Sequence, residues 1–477
     1  MSSSCSSHQV LFFLKVLDEG SVPYVSWKNN HELKGALSGE TDLDVFIPLE
    51  YRRAAISFAL QQGWIRLVNP VAEFPWIIHL YKLDQDLNAR HIHIYFKVVT
   101  GESWLKEFIL PFDTLLISER ERSEDGNIWI LNKRAQAYLF TIRHMLKGGS
   151  LSSRILYRRE FDSYQDEWFQ CQQEIKSLID MGPVNLSNYV KECGLGINKF
   201  QMPSLIDSLK LRITLSPFLR LSWYLLPIYR VSSLITRYMN KYLYRKKKIF
   251  PGGGLVIAIS GIDGIGKSTM LKEVNICFGK FITIDCLAIG KPQNRFIETI
   301  RKLVSYSKNS RNIEKNNRLQ KVATPGYSIS SVILALLRLK MARKAVKRAS
   351  EGKLIIVDRW PTDTIGMMDG PRINIESCNS YFINIAAHIE HWIYQSMPRA
   401  DLCIFLHAPV QILVDRNRDR IKNEKETDEE ITSRFEQNQN FEPIARKTIY
   451  FENDGPLVQK RKELLLLIWR EISARSF

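Results

Sequence analysis

One nine-residue stretch constrains this chain more than anything else in it. Gly261-Ile-Asp263-Gly264-Ile-Gly266-Lys267-Ser268-Thr269 follows a short β-rich apolar run, Leu255–Ser260, and precedes a helical pattern. Glycines at the first, fourth and sixth positions let successive backbone N–H groups turn inward, and the helix that follows adds its own free N–H groups. Together they make a cradle for phosphate oxygens. Lys267 is placed to reach the β- and γ-phosphates of a nucleoside triphosphate, and the Ser268 hydroxyl to ligate Mg²⁺. A chance match in a tight strand–helix turn is the bland alternative, and the flanking strand and helix argue against it. The loop therefore predicts ATP and Mg²⁺ as cofactors.

The surroundings of the loop predict an α/β fold. Runs at Leu255–Ser260, Phe281–Asp285, Leu354–Asp358, Leu402–His407 and Thr448–Glu452 alternate with helical stretches, the pattern of a parallel sheet with helices on both faces. Leu354-Ile-Ile-Val-Asp358-Arg359-Trp360 ends an apolar strand in a carboxylate beside a guanidinium. Ligands bind at the carboxyl ends of such strands. Asp358 is thus a candidate Mg²⁺ ligand, and Arg359 a candidate bidentate grip on a second phosphate.

These motifs resemble the thymidylate kinase family of nucleoside monophosphate kinases, over about residues 252–477. The loop is similar to that family's G-x-D-G-x-G-K-S/T-T, and Asp358-Arg359-Trp360 to its Asp-Arg-aromatic motif. The resemblance implies that Gly261, Gly264, Gly266, Lys267, Ser268 and Thr269 bind ATP and that Asp263 contacts the acceptor sugar. It further implies that Arg359 holds the acceptor phosphate and Arg338 contacts the acceptor base. The run Asp415-Arg416-Asn-Arg418-Asp-Arg420 resembles a mobile lid, whose Arg416, Arg418 or Arg420 would steady the migrating phosphoryl group, since the loop itself holds no arginine. A solvated charged helix is the other reading of any one of these arginines. The family's Thr-Arg-Glu-Pro-Gly-Gly-like stretch is missing after the second strand, and Met368 stands about where a base-proximal Gln is expected.

The front of the chain carries a weaker signal. In Gly39-Glu-Thr-Asp42-Leu-Asp44-Val-Phe-Ile47, two carboxylates two residues apart on a strand point the same way, as chelation of a divalent ion requires. This resembles the D-x-D of nucleotidyltransferase-fold proteins. The family's preceding Gly-Ser is replaced by Ser26-Trp27-Lys28, and the later strand that should bring a third carboxylate shows His91, His93 and Tyr95 instead. Active nucleotidyl transfer, a catalytically silent recognition domain and coincidence all stay open. The expected organisation is an α+β nucleotidyltransferase-like domain over 1–125, a helical bridge over 126–250 and a kinase-like domain over 251–477.

Charge completes the sequence picture. The 477 residues carry 67 Lys+Arg against 50 Asp+Glu, a formal +17, which points to polyanionic partners. Residues 208–250 contribute +10 and residues 291–350 contribute +13, so the rest of the chain is net negative. The second block lies where the resembling family binds its acceptor, a nucleotide or other phosphorylated small molecule. The first mixes aromatic, aliphatic and basic residues around Pro217 and Pro227. It reads foremost as a core helix with a basic linker, and otherwise as a segment for an anionic membrane surface or single-stranded nucleic acid. A homodimer is a further partner left open. Seven scattered cysteines without a C-x-x-C pair, no leader-like opening and no long apolar run lead to the expectation of a cytoplasmic protein. The functions that remain are a P-loop phosphotransferase, a nucleotidyltransferase working through the front domain, and a non-catalytic nucleotide-gated binding protein.

Overall fold

The structure, a computed structural model, describes residues 8–102, 105–147, 205–290, 325–375, 380–418, 427–438 and 441–475. Residues 291–324 of the second basic block, and Arg420 of the lid run, lie outside them. The chain forms two compact units, one of residues 1–248 with 469–477 and one of residues 249–468.

In the first unit the strands are β1 (Val25–Ser26), β2 (Leu43–Phe46), β3 (Ile65–Leu67), β4 (Ile77–Leu83), β5 (Ala89–Tyr95), β6 (Val98–Thr100), β7 (Phe108–Leu110), β8 (Arg120–Arg122) and β9 (Trp129–Leu131). Seven of them make one mixed sheet in the order β3-β4-β5-β2-β1-β9-β8, and β6 and β7 pair separately. The alternation over His91–Val99 reads as one strand. The structure divides it between β5 and β6, with Phe96 donating its N–H to the Trp76 carbonyl at the break. The sheet packs with α1 (His8–Glu19), α2 (Leu33–Ser38) and α3 (Arg52–Gln61) around a core that includes Phe13, Leu17, Trp64, Ile92 and Ile94. Each such side chain contributes about 1.5–3 kcal/mol by leaving water. A second core gathers α4 (Asp113–Ser118), α5 (Lys133–Lys147) and α6 (Leu205–Thr214).

The basic segment departs from the reading of a packed helix. Pro227 stands in the first turn of α7 (Leu226–Met239), where its missing N–H costs nothing. No residue of α7 is buried, and Ile228, Val231, Leu234, Ile235 and Tyr238 all face solvent. Its apolar face has no core partner among the described residues. No described helix is long and apolar enough to cross a membrane.

The second unit is α/β. Its strands β10 (Leu255–Gly261), β11 (Ile284–Ala288), β12 (Leu354–Asp358), β13 (Leu402–His407) and β14 (Thr448–Glu452) form a parallel sheet in the order β11-β12-β10-β13-β14. The chain leaves central β10 toward one side for β11 and β12, then toward the other for β13 and β14. The order therefore reverses at β10, and that is where open parallel sheets bind ligands. All seven residues of β10 are buried, as continuous apolar runs in such sheets require. The second strand begins three residues later than its apolar run suggests. Phe281 and Ile282 instead donate their N–H groups to the Phe278 carbonyl and close the end of α8 (Lys267–Phe278).

The remaining helices are α9 (Pro325–Ser350), α10 (Tyr381–Gln395), α11 (Val410–Arg418), α12 (Asp428–Gln437) and α13 (Leu457–Ser473). Along α9 the buried residues are Ser328, Ser331, Ala335, Arg338, Leu339, Ala342, Ala345 and Ala349. This is a three- and four-residue spacing of mostly small side chains that lets the helix lie close on the sheet. Gly352, at φ 84°, ends the helix, with its N–H on the Ala349 carbonyl. Arg338 is the one charged residue in that buried stripe.

Candidate phosphotransfer site

Two glycines of the loop between β10 and α8 are required for different reasons. Gly261 has φ 146°, and a Cβ there would come within 2.7 Å of the Leu406 carbonyl oxygen. Gly264 has φ 102° but nothing within 4 Å of where its Cβ would stand. There the backbone conformation, not crowding, requires glycine, and the space above it is open for a ligand to approach the peptide N–H groups. Asn453 pins the loop from β14's end, donating Nδ2 to the Ile265 carbonyl at 2.6 Å.

Lys267 begins α8 and is buried. Its Nζ donates to the Ile262 carbonyl at 2.8 Å and pairs with Asp263 Oδ1 at 3.2 Å. Burial and then the neighbouring Arg359 guanidinium push this ammonium down to about 8, against the pull of Asp263. Ser268 and Thr269 are exposed in the first turn of the same helix.

Asp358 closes β12, in register with Ile259 of β10. Its Oδ1 is buried without a hydrogen-bond partner, an arrangement that a cation at this sheet edge would satisfy. Arg359 follows in the left-handed region, φ 67°, a conformation that costs a non-glycine residue about 1–2 kcal/mol. Its N–H bonds to the Ile259 carbonyl, so the strained turn aims the guanidinium across the carboxyl end of the sheet. There it pairs with Asp263 and, at 3.5 Å, with Asp369 Oδ2.

Asp369 links this group to Arg338. Its Oδ1 lies 2.6 Å from Arg338 Nη2, and Arg338 Nη1 donates to the Tyr394 hydroxyl of α10 at 2.6 Å. Arg338 is only 2% exposed, so its charge is held by Asp369, Tyr394 and the Gly290 carbonyl. Lys267, Asp263, Arg359, Asp369 and Arg338 thus make one continuous chain of alternating charge. Asp263 and Arg359, 96 residues apart in sequence, meet beside Lys267, and Arg338 joins them through Asp369. Arg338 is enclosed by protein partners in this arrangement, and Arg359 is the better exposed of the two guanidiniums.

Of the lid arginines, Arg416 points its Nη1 at the Ile265 carbonyl of the loop, at 3.5 Å. Arg418 turns away to pair with Asp428 at 2.5 Å. Arg434, on α12, reaches Asp263 Oδ2 at 3.6 Å and adds a third cation to that carboxylate. Asp369, Tyr394 and Arg434 had no assigned role in the sequence reading. Arg434 lies in the arginine-bearing region after the lid, and Asp369 precedes Gly370 in a turn-rich loop.

In the first unit, Asp42 directly precedes β2 and Asp44 lies within it. Both face His93, whose ring nitrogens lie 3.7 Å from Asp42 and 3.1 Å from Asp44. Neither carboxylate is disengaged. Asp44 is 4% exposed and also meets Lys28 at 3.2 Å and Asn29 at 3.1 Å. Although burial acts in the opposite direction, the Lys28 ammonium and His93 hold the Asp44 carboxyl well below the usual range.

No protein-family model matches the chain, and no curated protein matches it. Among solved structures, a thymidylate kinase from Candida albicans is similar over 45% of this chain and 91% of its own, at 16% identity and a TM-score of 0.29. At that level the fold of the second unit is described by its own sheet order and loop.

Proposed function

We propose that residues 249–468 transfer the γ-phosphoryl group of ATP to a phosphate-bearing acceptor of the nucleoside monophosphate class. The observation that carries this reading is the charge chain from Lys267 through Asp263 to Arg359, at the carboxyl edge of a parallel sheet and beside a phosphate-cradling loop. Two cationic groups near one another, one in the loop and one on the neighbouring strand, are what two phosphates brought together need.

The loop N–H groups and Lys267 bind the triphosphate, and Arg359 exchanges its carboxylate partners for the acceptor phosphate. An acceptor phosphate oxygen then forms the new bond to the γ-phosphorus as the bond to the β–γ bridging oxygen breaks, and ADP leaves. Charge on the migrating group spreads over its oxygens, where Lys267 and Arg416 face it. Asp358, through its unpartnered Oδ1, and Ser268 would hold Mg²⁺, which neutralises phosphate charge when bound. Asp369 and Arg338 hold Arg359 in position and do not themselves need to touch substrate.

The test is incubation of the full chain with ATP, Mg²⁺ and a panel of nucleoside monophosphates, with nucleotide products resolved by ion-exchange chromatography. A nucleoside diphosphate formed together with ADP, and lost in Lys267→Ala, is expected. ATP turnover that persists unchanged in Lys267→Ala contradicts the proposal.

A further inference from the structure

We propose that His79, His91 and His93 form a site for one divalent transition-metal ion of the zinc class, oriented by the carboxylates of Asp42 and Asp44. The site belongs to the first unit and does not depend on the phosphotransfer reading. One ring nitrogen of each histidine lies within 4.8 Å of the other two, and all three residues are half-buried.

The sheet register produces the cluster. His91 and His93 are two apart on β5 and so share a face. His79 of β4 stands directly opposite His93 across the antiparallel pair, and Asp44 of β2 stands opposite His93 on the other side. His79 Nδ1 and His91 Nε2 face each other at 3.2 Å. Two imidazole nitrogens on one tetrahedral zinc ion, each about 2.0–2.1 Å from it, lie about 3.4 Å apart. In the ion-free protein these two nitrogens share a hydrogen bond, which an ion would replace at nearly the same spacing as the rings turn to direct both lone pairs at it.

The opposite ring nitrogens strengthen the assignment. His91 Nδ1 is 2.6 Å from Asp42 Oδ1, and His93 Nδ1 is 3.1 Å from Asp44 Oδ1. Each carboxylate thus accepts the Nδ1–H of one ring, fixing the tautomer that leaves Nε2 as the ligand atom. Metal-binding histidines are characteristically supported in this way. His93 Nε2 is buried with no hydrogen-bond partner, an orphan that a metal ion satisfies. Lys28 neutralises Asp44, and Asp42, about half exposed, offsets the positive charge that Lys106 and Lys248 bring near His79. Imidazole donors select Zn²⁺, Co²⁺, Ni²⁺ or Cu²⁺ over Mg²⁺, which takes oxygen ligands. The carboxylates that sequence suggested as ligands therefore serve as orienting groups, and the ligand role passes to the three rings.

The experiment uses the full chain without a histidine tag, stripped with a chelator and titrated with Co²⁺ and then Zn²⁺. One ion per chain by elemental analysis is expected, with the intense visible bands of four-coordinate Co²⁺ that Zn²⁺ abolishes. His79→Ala and His93→Ala should each lose stoichiometric uptake, Asp42→Asn should weaken it about 10–100-fold, and His388→Ala, at an exposed histidine of the other unit, should leave it unchanged. Should the alanine variants fail to fold, the wild-type spectrum decides the matter. Weak octahedral bands alone, substoichiometric uptake, or full uptake in a folded His79→Ala protein each overturn the proposal.

Discussion

If residues 261–269 bind a triphosphate as proposed, the lowered ammonium of Lys267 makes that binding pH-dependent in a measurable way. In the ligand-free protein this group titrates at about 8, because burial and Arg359 disfavour its charge. Triphosphate oxygens favour the charged form, so binding takes up a proton wherever the free lysine is neutral. If the bound lysine stays protonated, the apparent dissociation constant for ATP rises about tenfold between about pH 7 and about pH 9, roughly 1.4 kcal/mol of affinity. Isothermal titration calorimetry across that range, repeated in buffers of different ionisation enthalpy, reads both the affinity and the proton uptake. Uptake should be largest at high pH and near half a proton at about pH 8. Stability runs the opposite way. The folded value lies below the ordinary 10.5, so between about 8 and 10.5 the unfolded chain holds more protons. Ligand-free stability of the wild type, measured against Lys267→Met, should therefore increase with pH through that window. A flat affinity profile, or the same slope in Lys267→Met, would refute the reasoning.

Three further outcomes follow from named contacts. Asp369→Asn removes the carboxylate from an arginine that is 2% exposed, and the stranded charge should cost about 3–5 kcal/mol, read as a lower thermal midpoint of the second unit. Gly264→Ala meets no steric obstacle but places a side chain at φ 102°, so about 1–2 kcal/mol of destabilisation is expected by chemical denaturation, with the loop's ATP affinity reduced. Helix α7 is predicted to bring the chain onto anionic vesicles through Ile228, Val231, Leu234 and Ile235, and Val231→Glu with Ile235→Glu should abolish co-sedimentation; equal association with neutral vesicles would contradict this.

Which features the sequence disclosed follows from how local their causes are. The loop from Gly261 to Thr269 is a local motif, and the Leu354–Asp358 strand is a buried apolar run ended by a charge, so both are legible without tertiary information. The start of β11 is not, because Phe281 and Ile282 are as apolar as a strand but are drawn into closing α8. Arg338 could be found as a lone cation in a stripe of small residues. Its partner Asp369 could not, since the pairing arises only when a loop 31 residues away folds over α9. His79 was invisible for the same reason: only the β4–β5 register sets it against His91 and His93. The exposed face of α7 shows the reverse error, an apolar pattern assigned to a core that the described residues do not supply.

The claim that most needs testing is that Lys267 and Arg359 serve two phosphates in one site. A dinucleoside pentaphosphate, which joins a triphosphate and an acceptor phosphate covalently, measures this in one binding isotherm. It should bind one per chain, at least ten- to a hundredfold more tightly than ATP, and lose that advantage in Arg359→Ala while ATP itself still binds. Affinity no greater than that of ATP, or an advantage that survives Arg359→Ala, would contradict the two-phosphate site.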